Sequence, residues 1–241
     1  MKFEVLADSE AVALKGAEII AAEARAAVAA RGRFTLAVSG GHTPWIMLSE
    51  LVSQDLPWQN VYVAQVDERV APSGDPDRNL THLRESLLSR APLPPERIYA
   101  MPVESPPDLE SGASLYAQTL QEMAGSPAVL DLLHLGLGPD GHTASLVPGD
   151  PVLEVVNSDV ALTGNYMGRR RMTLTFPIIN RARRILWLIT GSEKAGMLAR
   201  LRNADPSIPA GRVRQEHALI LADRAAAGQA GPKEGQSKAA L

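Results

Sequence analysis

Val129-Leu-Asp-Leu-Leu-His-Leu-Gly-Leu-Gly-Pro-Asp-Gly-His-Thr-Ala-Ser-Leu-Val-Pro148 opens as a short, almost unbroken apolar run and ends in a glycine turn. The run has the pattern of a strand buried on both faces, as strands of a parallel sheet are. Gly136, Gly138, Pro139 and Gly141 end it, and such residues let a backbone turn sharply and approach a ligand closely. At the far side of the turn stand Asp140 and His142, flanked by Thr143 and Ser145. Proteins of the α/β class keep their chemistry beyond the carboxyl ends of strands, which is where this loop would put its Asp-Gly-His.

Upstream, Phe34-Thr-Leu-Ala-Val38 is a second buried strand that runs into Ser39-Gly-Gly-His-Thr-Pro44. A helix with Trp45, Met47, Leu48, Leu51 and Val52 follows, and Pro44 suits its first turn. Gly40 and Gly41 can bring main-chain N–H groups close to a ligand, while Ser39 and Thr43 add hydroxyls. The helix start adds partial positive charge, so phosphate is the natural guest. The same residues serve equally as a capped strand-to-helix turn.

The remaining chain alternates between the two kinds of element. Phe3 to Leu6 reads as an edge strand, and Asp8 or Ser9 to about Ala30 as an alanine-rich helix stopped at Gly32. Val61 to Val66 is a strand ending in Asp67-Glu68-Arg69, and a helix with Leu80, Leu83, Leu87 and Leu88 on one face lies beyond a loop. Arg97 to Val103 is expected as a strand and Leu109 to Met123 as a helix. Between Pro151 and Arg170 the pattern weakens to irregular structure with one short strand. Arg171-Met-Thr-Leu-Thr-Phe176 alternates as a strand, Pro177 to Arg181 begins a short helix, and Arg184 to Thr190 is another buried strand. Lys194 falls on the first turn of the next helix, where a cation opposes the macrodipole; solvation or an anionic substrate would account for it. Ala218 to Ala222 is the last strand. These elements predict one α/β domain, doubly wound, with a mainly parallel sheet and helices on both faces. The domain is expected over residues 1–227, with 228–241 a disordered tail.

Bulk properties narrow the function. The 241 residues are 45% hydrophobic and 21% charged, which is globular composition. A net charge of −3 gives no reason to expect nucleic acid, although a local basic pocket could bind an anion. The absence of cysteine removes disulfides, thiolate metal sites and cysteine nucleophiles together. No signal-peptide pattern and no apolar run near the ~18 residues of a membrane span is present, so a cytoplasmic protein without membrane contact is expected.

Several motifs are weak or missing. Gly136 to Gly141 formally satisfies G-x-G-x-x-G, but a dinucleotide site needs a helix opening there, and Pro148 interrupts. No G-x-S-x-G, H-E-x-x-H or Walker pattern occurs. His134 lies inside an apolar strand and reads as a core residue, while His82 and His217 lack metal-ligand spacing. Only His142 follows a glycine turn at a strand end with a carboxylate two residues away.

Leu-Gly-Leu-Gly-Pro-Asp-Gly-His-Thr-Ala-Ser-Leu-Val-Pro resembles the signature of the 6-phosphogluconolactonases, which open 6-phosphoglucono-lactone in the pentose phosphate pathway. Ser39-Gly-Gly-His-Thr-Pro44 is similar to that family's Ser-Gly-Gly-x-Thr-Pro, with His42 on the variable position, and Asp67-Glu-Arg69 to its Asp-Glu-Arg. Where the family has Ser-Asn before a helix, this chain has Arg78-Asn79. The resemblance implies a Rossmann-like fold and a metal-free, cofactor-free hydrolase acting on a small phosphorylated sugar lactone, as a monomer or homodimer. It implies His142 as general base, with Ser39, Gly40, Gly41, Thr43, Arg171 and Lys194 around the phosphate. Asp67, Arg69 and Asp140 would line the sugar end.

The chemistry fits. A lactone is an activated ester, and an imidazole titrating near neutrality can deprotonate the attacking water. Asp140 can orient the ring and stabilise the imidazolium, and glycine-loop N–H groups or Arg69 can meet the oxyanion. Two alternatives stand beside this reading, the first of which shares the fold and the Asp-Gly-His loop. An amino-sugar phosphate deaminase–isomerase typically continues its loop as His-Ile-Ala-Phe and carries Asp-Glu-Tyr, whereas this chain has His142-Thr-Ala-Ser and Asp67-Glu-Arg69. A sugar-phosphate-sensing domain of a transcription regulator ordinarily carries an N-terminal DNA-binding helical pair, and this chain reaches its first strand and helix at once.

Overall fold

The computed structural model describes residues 1–104 and 108–229. In chain order the elements are β1 (Lys2–Leu6), α1 (Ser9–Arg31), β2 (Phe34–Val38), α2 (His42–Leu51), β3 (Val61–Gln65), β4 (Asp67–Arg69), α3 (Asn79–Leu83) and β5 (Ile98–Tyr99). There follow α4 (Leu109–Ala124), β6 (Leu132–Leu135), β7 (Val160–Leu162), β8 (Arg171–Leu174), α5 (Phe176–Arg181), β9 (Ile185–Ile189), α6 (Ala195–Arg202) and β10 (Ala218–Asp223). Helix α1 starts where Asp8 accepts the Ala11 N–H and stops where Gly32 takes φ 74°.

Seven strands form one parallel sheet in the order β1-β10-β9-β6-β2-β3-β5. Side-chain alternation divides the core in two. Leu36, Leu132 and Leu186 pack with Val12, Ile20, Met47 and Leu83 from α1, α2 and α3. Ala37, Leu133 and Trp187 face the other way, against Tyr116, Leu120, Ile178 and Leu201 from α4, α5 and α6. Helices therefore cover both faces of the sheet, as expected for parallel strands. From β2 the chain proceeds to β3 and β5 on one side, and later to β6, β9 and β10 on the other. The carboxyl ends of β2 and β6 thus flank the topological switch point, where open α/β sheets bind ligands.

Two expectations need correction. Only Ile98 and Tyr99 of the stretch from Arg97 to Val103 join the sheet, because the Met101 N–H turns instead to the Gln65 side chain at 2.9 Å. The alternating segment from Arg171 belongs not to the parallel sheet but to a second, three-stranded antiparallel one, β4-β8-β7. Asp67-Glu68-Arg69 is accordingly a strand as well as the end of one. The tail expected from residue 228 lies almost wholly outside the described residues.

Candidate active site

A cleft of about 320 Å³ lies beyond the carboxyl ends of β2 and β6, lined by both glycine loops, β4, β8 and the turn after β9. The loop after β6 is closed by the Gly138 N–H on the His142 carbonyl (2.8 Å) and by the Thr143 hydroxyl on the Gly136 carbonyl (2.9 Å). Gly141 takes φ 86°, and a Cβ on Gly138 would stand 2.0 Å from the His142 ring, so both positions exclude other side chains. No helix begins in this loop, in keeping with the rejection of a dinucleotide site.

His142 lines the cleft. Its Nδ1 lies 2.5 Å from Asp140 Oδ1, and its main-chain N–H donates to the same oxygen at 3.1 Å. A ring that donates through Nδ1 to a carboxylate keeps a lone pair on Nε2, the form a general base requires. Asp140 does not line the cleft; it stands behind the ring, which corrects its expected place at the sugar end. Partial burial raises the Asp140 pKa, but the His142 N–H, the ring and the Tyr166 hydroxyl together bring it below the usual carboxylate value. It is therefore a carboxylate at neutral pH.

Strand alternation sorts Asp67-Glu68-Arg69. Asp67 and Arg69 line the cleft, whereas Glu68 is fully buried and accepts the main-chain N–H groups of Asn79 and Leu80 at the start of α3, both at 2.8 Å. Asp67 is held by the Ser145 hydroxyl (2.7 Å) and by Asn79 Nδ2 on its carbonyl (2.9 Å). Arg78 turns away from the cleft to pair with Glu68 and Glu104. That accounts for an arginine where the resembling family carries serine.

Arg69 and Arg171 sit directly opposite each other in the β4–β8 pairing, and both line the cleft. Like charges in that relation repel. Arg171 is 8% exposed and forms no ion pair among the described residues; burial first, then Arg69, lowers its pKa. The Nε atoms of both arginines are buried without a hydrogen-bond partner. The two arginines before Arg171 are occupied elsewhere: Arg169 by Asp75 and Asp77, Arg170 by Glu110. Lys194 lies across the cleft, in a single 3-10 turn before α6 rather than on that helix's own first turn, and is unpaired among the described residues.

The Ser39 hydroxyl is buried and unpartnered. Gly40 and Gly41, the latter at φ 134°, donate no N–H to any acceptor among the described residues. A Cβ on Gly40 would stand 2.1 Å from Asn79 Oδ1. Thr43 is not free in the same way, since its hydroxyl meets that of Thr190 at 2.8 Å. Beneath this loop, His134 is buried and accepts the Ser39 N–H through Nδ1 at 3.3 Å. Burial brings its pKa down to about 3, and its Nε2 has no partner, so this core histidine is only half satisfied.

The structure thus brings Ser39, Gly40, Gly41, Thr43, Asp67, Arg69, His142, Arg171 and Lys194 to one cleft, with Asp140 directly behind it. Tyr166 was not foreseen. Its hydroxyl donates to Asp140 Oδ2 at 3.1 Å, and the turn composition of Gly164-Asn-Tyr-Met-Gly168 was the only available signal. Among the described residues no three His, Asp or Glu side chains are grouped to hold a metal ion, and no helix is long and apolar enough to cross a membrane.

Residues 7–221 match the family described as glucosamine-6-phosphate isomerases/6-phosphogluconolactonase. The chain is 38% identical over 196 residues to a 6-phosphogluconolactonase of Synechocystis sp., covering 78% of this chain and 81% of the relative. It is 36% identical over 204 residues to one of Nostoc sp., covering 82% and 83%. The crystal structure of 6-phosphogluconolactonase from Thermotoga maritima superposes with a TM-score of 0.81 at 26% identity, over 92% of this chain and 98% of that one. Fold, cleft and sequence agree, and the chain belongs to the glucosamine-6-phosphate isomerase/6-phosphogluconolactonase family.

Proposed function

We propose that this protein hydrolyses 6-phosphoglucono-1,5-lactone to 6-phosphogluconate in the cytoplasm, through a domain spanning residues 1–227 and without a metal ion or cofactor. One observation carries the reading. A histidine tied through Nδ1 to a carboxylate at 2.5 Å shares a cleft with two facing arginines whose Nε atoms lack partners. A base stands at one end and an unmet demand for an anion at the other. Relatives at 36% and 38% identity carry the lactonase name.

The phosphate is held by Ser39 Oγ, the Gly40 and Gly41 N–H groups, Thr43, Arg171 and Lys194, while Asp67 and Arg69 face the sugar hydroxyls. His142 Nε2 takes a proton as water adds to the C1 carbonyl. Asp140 stabilises the imidazolium so formed. Collapse of the tetrahedral intermediate breaks the bond from C1 to the ring oxygen, and the imidazolium returns the proton to that oxygen. The carboxylic acid product then ionises in water. An ester this reactive needs only base and positioning, and positioning is what the cationic end supplies.

The test is the disappearance of 6-phosphoglucono-1,5-lactone against the spontaneous rate in the same buffer, with a chelator present. A rate well above the blank is expected, and glucosamine 6-phosphate should release no ammonia. A rate equal to the blank would overturn the reading.

A further inference from the structure

Tyr166 lies on a hairpin tip between β7 and β8. Its N–H donates to the Arg169 carbonyl at 3.0 Å, and the Arg169 N–H returns to the Tyr166 carbonyl at 3.3 Å. Met167 and Gly168 between them take φ 51° and 82°, the left-handed pair that a two-residue hairpin turn requires. The tip is pinned from outside, because the Arg169 side chain reaches Asp75 and Asp77 at 3.1 and 3.0 Å. A tyrosine on a pinned hairpin is delivered to one place.

That place is the junction between the two ends of the cleft. The hydroxyl donates to Asp140 Oδ2 at 3.1 Å and lies 3.4 Å from His142 Nδ1. The ring meets the imidazole edge to face at 5.5 Å, and the Arg171 guanidinium lies over it at 5.0 Å. Asp140 Oδ1 serves His142, so Oδ2 would otherwise be free to let the carboxylate swing about its bond. Tyr166 occupies that oxygen.

We propose that Tyr166 is a positioning residue: its hydroxyl locks the Asp140 carboxylate behind His142, and its ring gives the phosphate-facing Arg171 a flat surface to lie on. This rests on His142 acting as the base. The other charged groups around His142 are Asp140, Arg171, Asp67, Arg69, Glu193 and Lys194, and a change confined to the Tyr166 hydroxyl leaves all of them in place.

The experiment is Tyr166→Phe, which keeps the ring and removes one hydrogen bond. A net worth of ~0.5–1.5 kcal/mol for that bond translates to a fall in kcat of about two- to thirteenfold, with KM within about twofold. The His142 Nδ1 proton resonance, read by NMR without turnover, should move upfield in the variant as its hydrogen bond to the freed Asp140 carboxylate loosens. His142→Ala is run in parallel. If His142→Ala is inactive while Tyr166→Phe matches the parent in kcat and in the Nδ1 proton resonance, the Tyr166 role is wrong and the base stands. If His142→Ala keeps the parent rate, the base itself is wrong. A variant in which kcat and Tm fall while KM rises, with the His142 Nδ1 proton resonance unchanged, would reduce Tyr166 to a structural residue and overturn the proposal.

Discussion

The two ends of the cleft are built on opposite principles. Around His142 the polar atoms are partnered: Nδ1 with Asp140, Asp140 with Tyr166, and the loop carbonyls with Thr143 and Gly138. Around Arg171 several are not: Ser39 Oγ and the Nε atoms of Arg69 and Arg171 stand buried without partners. A satisfied group is already in position, whereas an unsatisfied buried group costs folding free energy until a ligand completes it. The histidine end is held in position before any ligand arrives. The cationic end gives up stability for an anion.

The largest expected effect breaks the first end. Replacing His142 by Ala should lower the lactonase rate by about 10²–10⁴-fold, the usual worth of a general base, while 6-phosphogluconate still binds. Rates corrected for spontaneous opening, with calorimetric binding alongside, check both halves. Binding lost together with rate would mean that the two ends are not separate.

Arg171→Met acts at the second end and should move two quantities in opposite directions. KM should rise by about 10- to 100-fold, since a charge-assisted contact to phosphate is worth ~1.5–3 kcal/mol. Thermal unfolding without ligand should occur at a higher temperature, because a buried guanidinium facing Arg69 is removed. A lower melting temperature would show that the repulsion is relieved elsewhere in the fold.

The floor of the loop from Ser39 to Thr43 carries a pH signature. His134 keeps a pKa of about 3 when folded against an ordinary 6.5, so the unfolded chain takes up its proton first as pH falls. Its contribution is complete above pH 6.5 and is lost on acidification toward 3. The slope should approach ~1.4 kcal/mol per pH unit within that window. Urea unfolding at pH 7 and pH 5 measures it, and His134→Leu should flatten the dependence. Ser39→Ala makes the smallest change: KM should rise about two- to tenfold with no loss of stability in the free protein, since its hydroxyl has no partner to lose.

The parallel sheet was legible in the sequence because apolar runs such as Phe34–Val38 and Ile185–Ile189, separated by amphipathic helices, have few other ways to be buried. Both glycine loops were legible for a related reason: Gly138 and Gly141 stand where a side chain would collide or the backbone is left-handed, and such demands are local. The antiparallel sheet was not legible. Arg171–Leu174 alternates as any half-buried strand does, and periodicity does not say which neighbour it pairs with.

The sequence by itself therefore determined the α/β class, the two glycine loops and the candidate base, since each follows from residue type and short-range spacing. Only the tertiary structure decided that Arg171 rather than Arg169 or Arg170 enters the cleft, that Arg69 faces it, and that Tyr166 closes on Asp140 from 26 residues away. Those choices depend on strand pairing and on carboxylates such as Asp75, Asp77 and Glu110 that engage the neighbouring arginines from distant parts of the chain. Contacts of that range leave no period in the sequence to read.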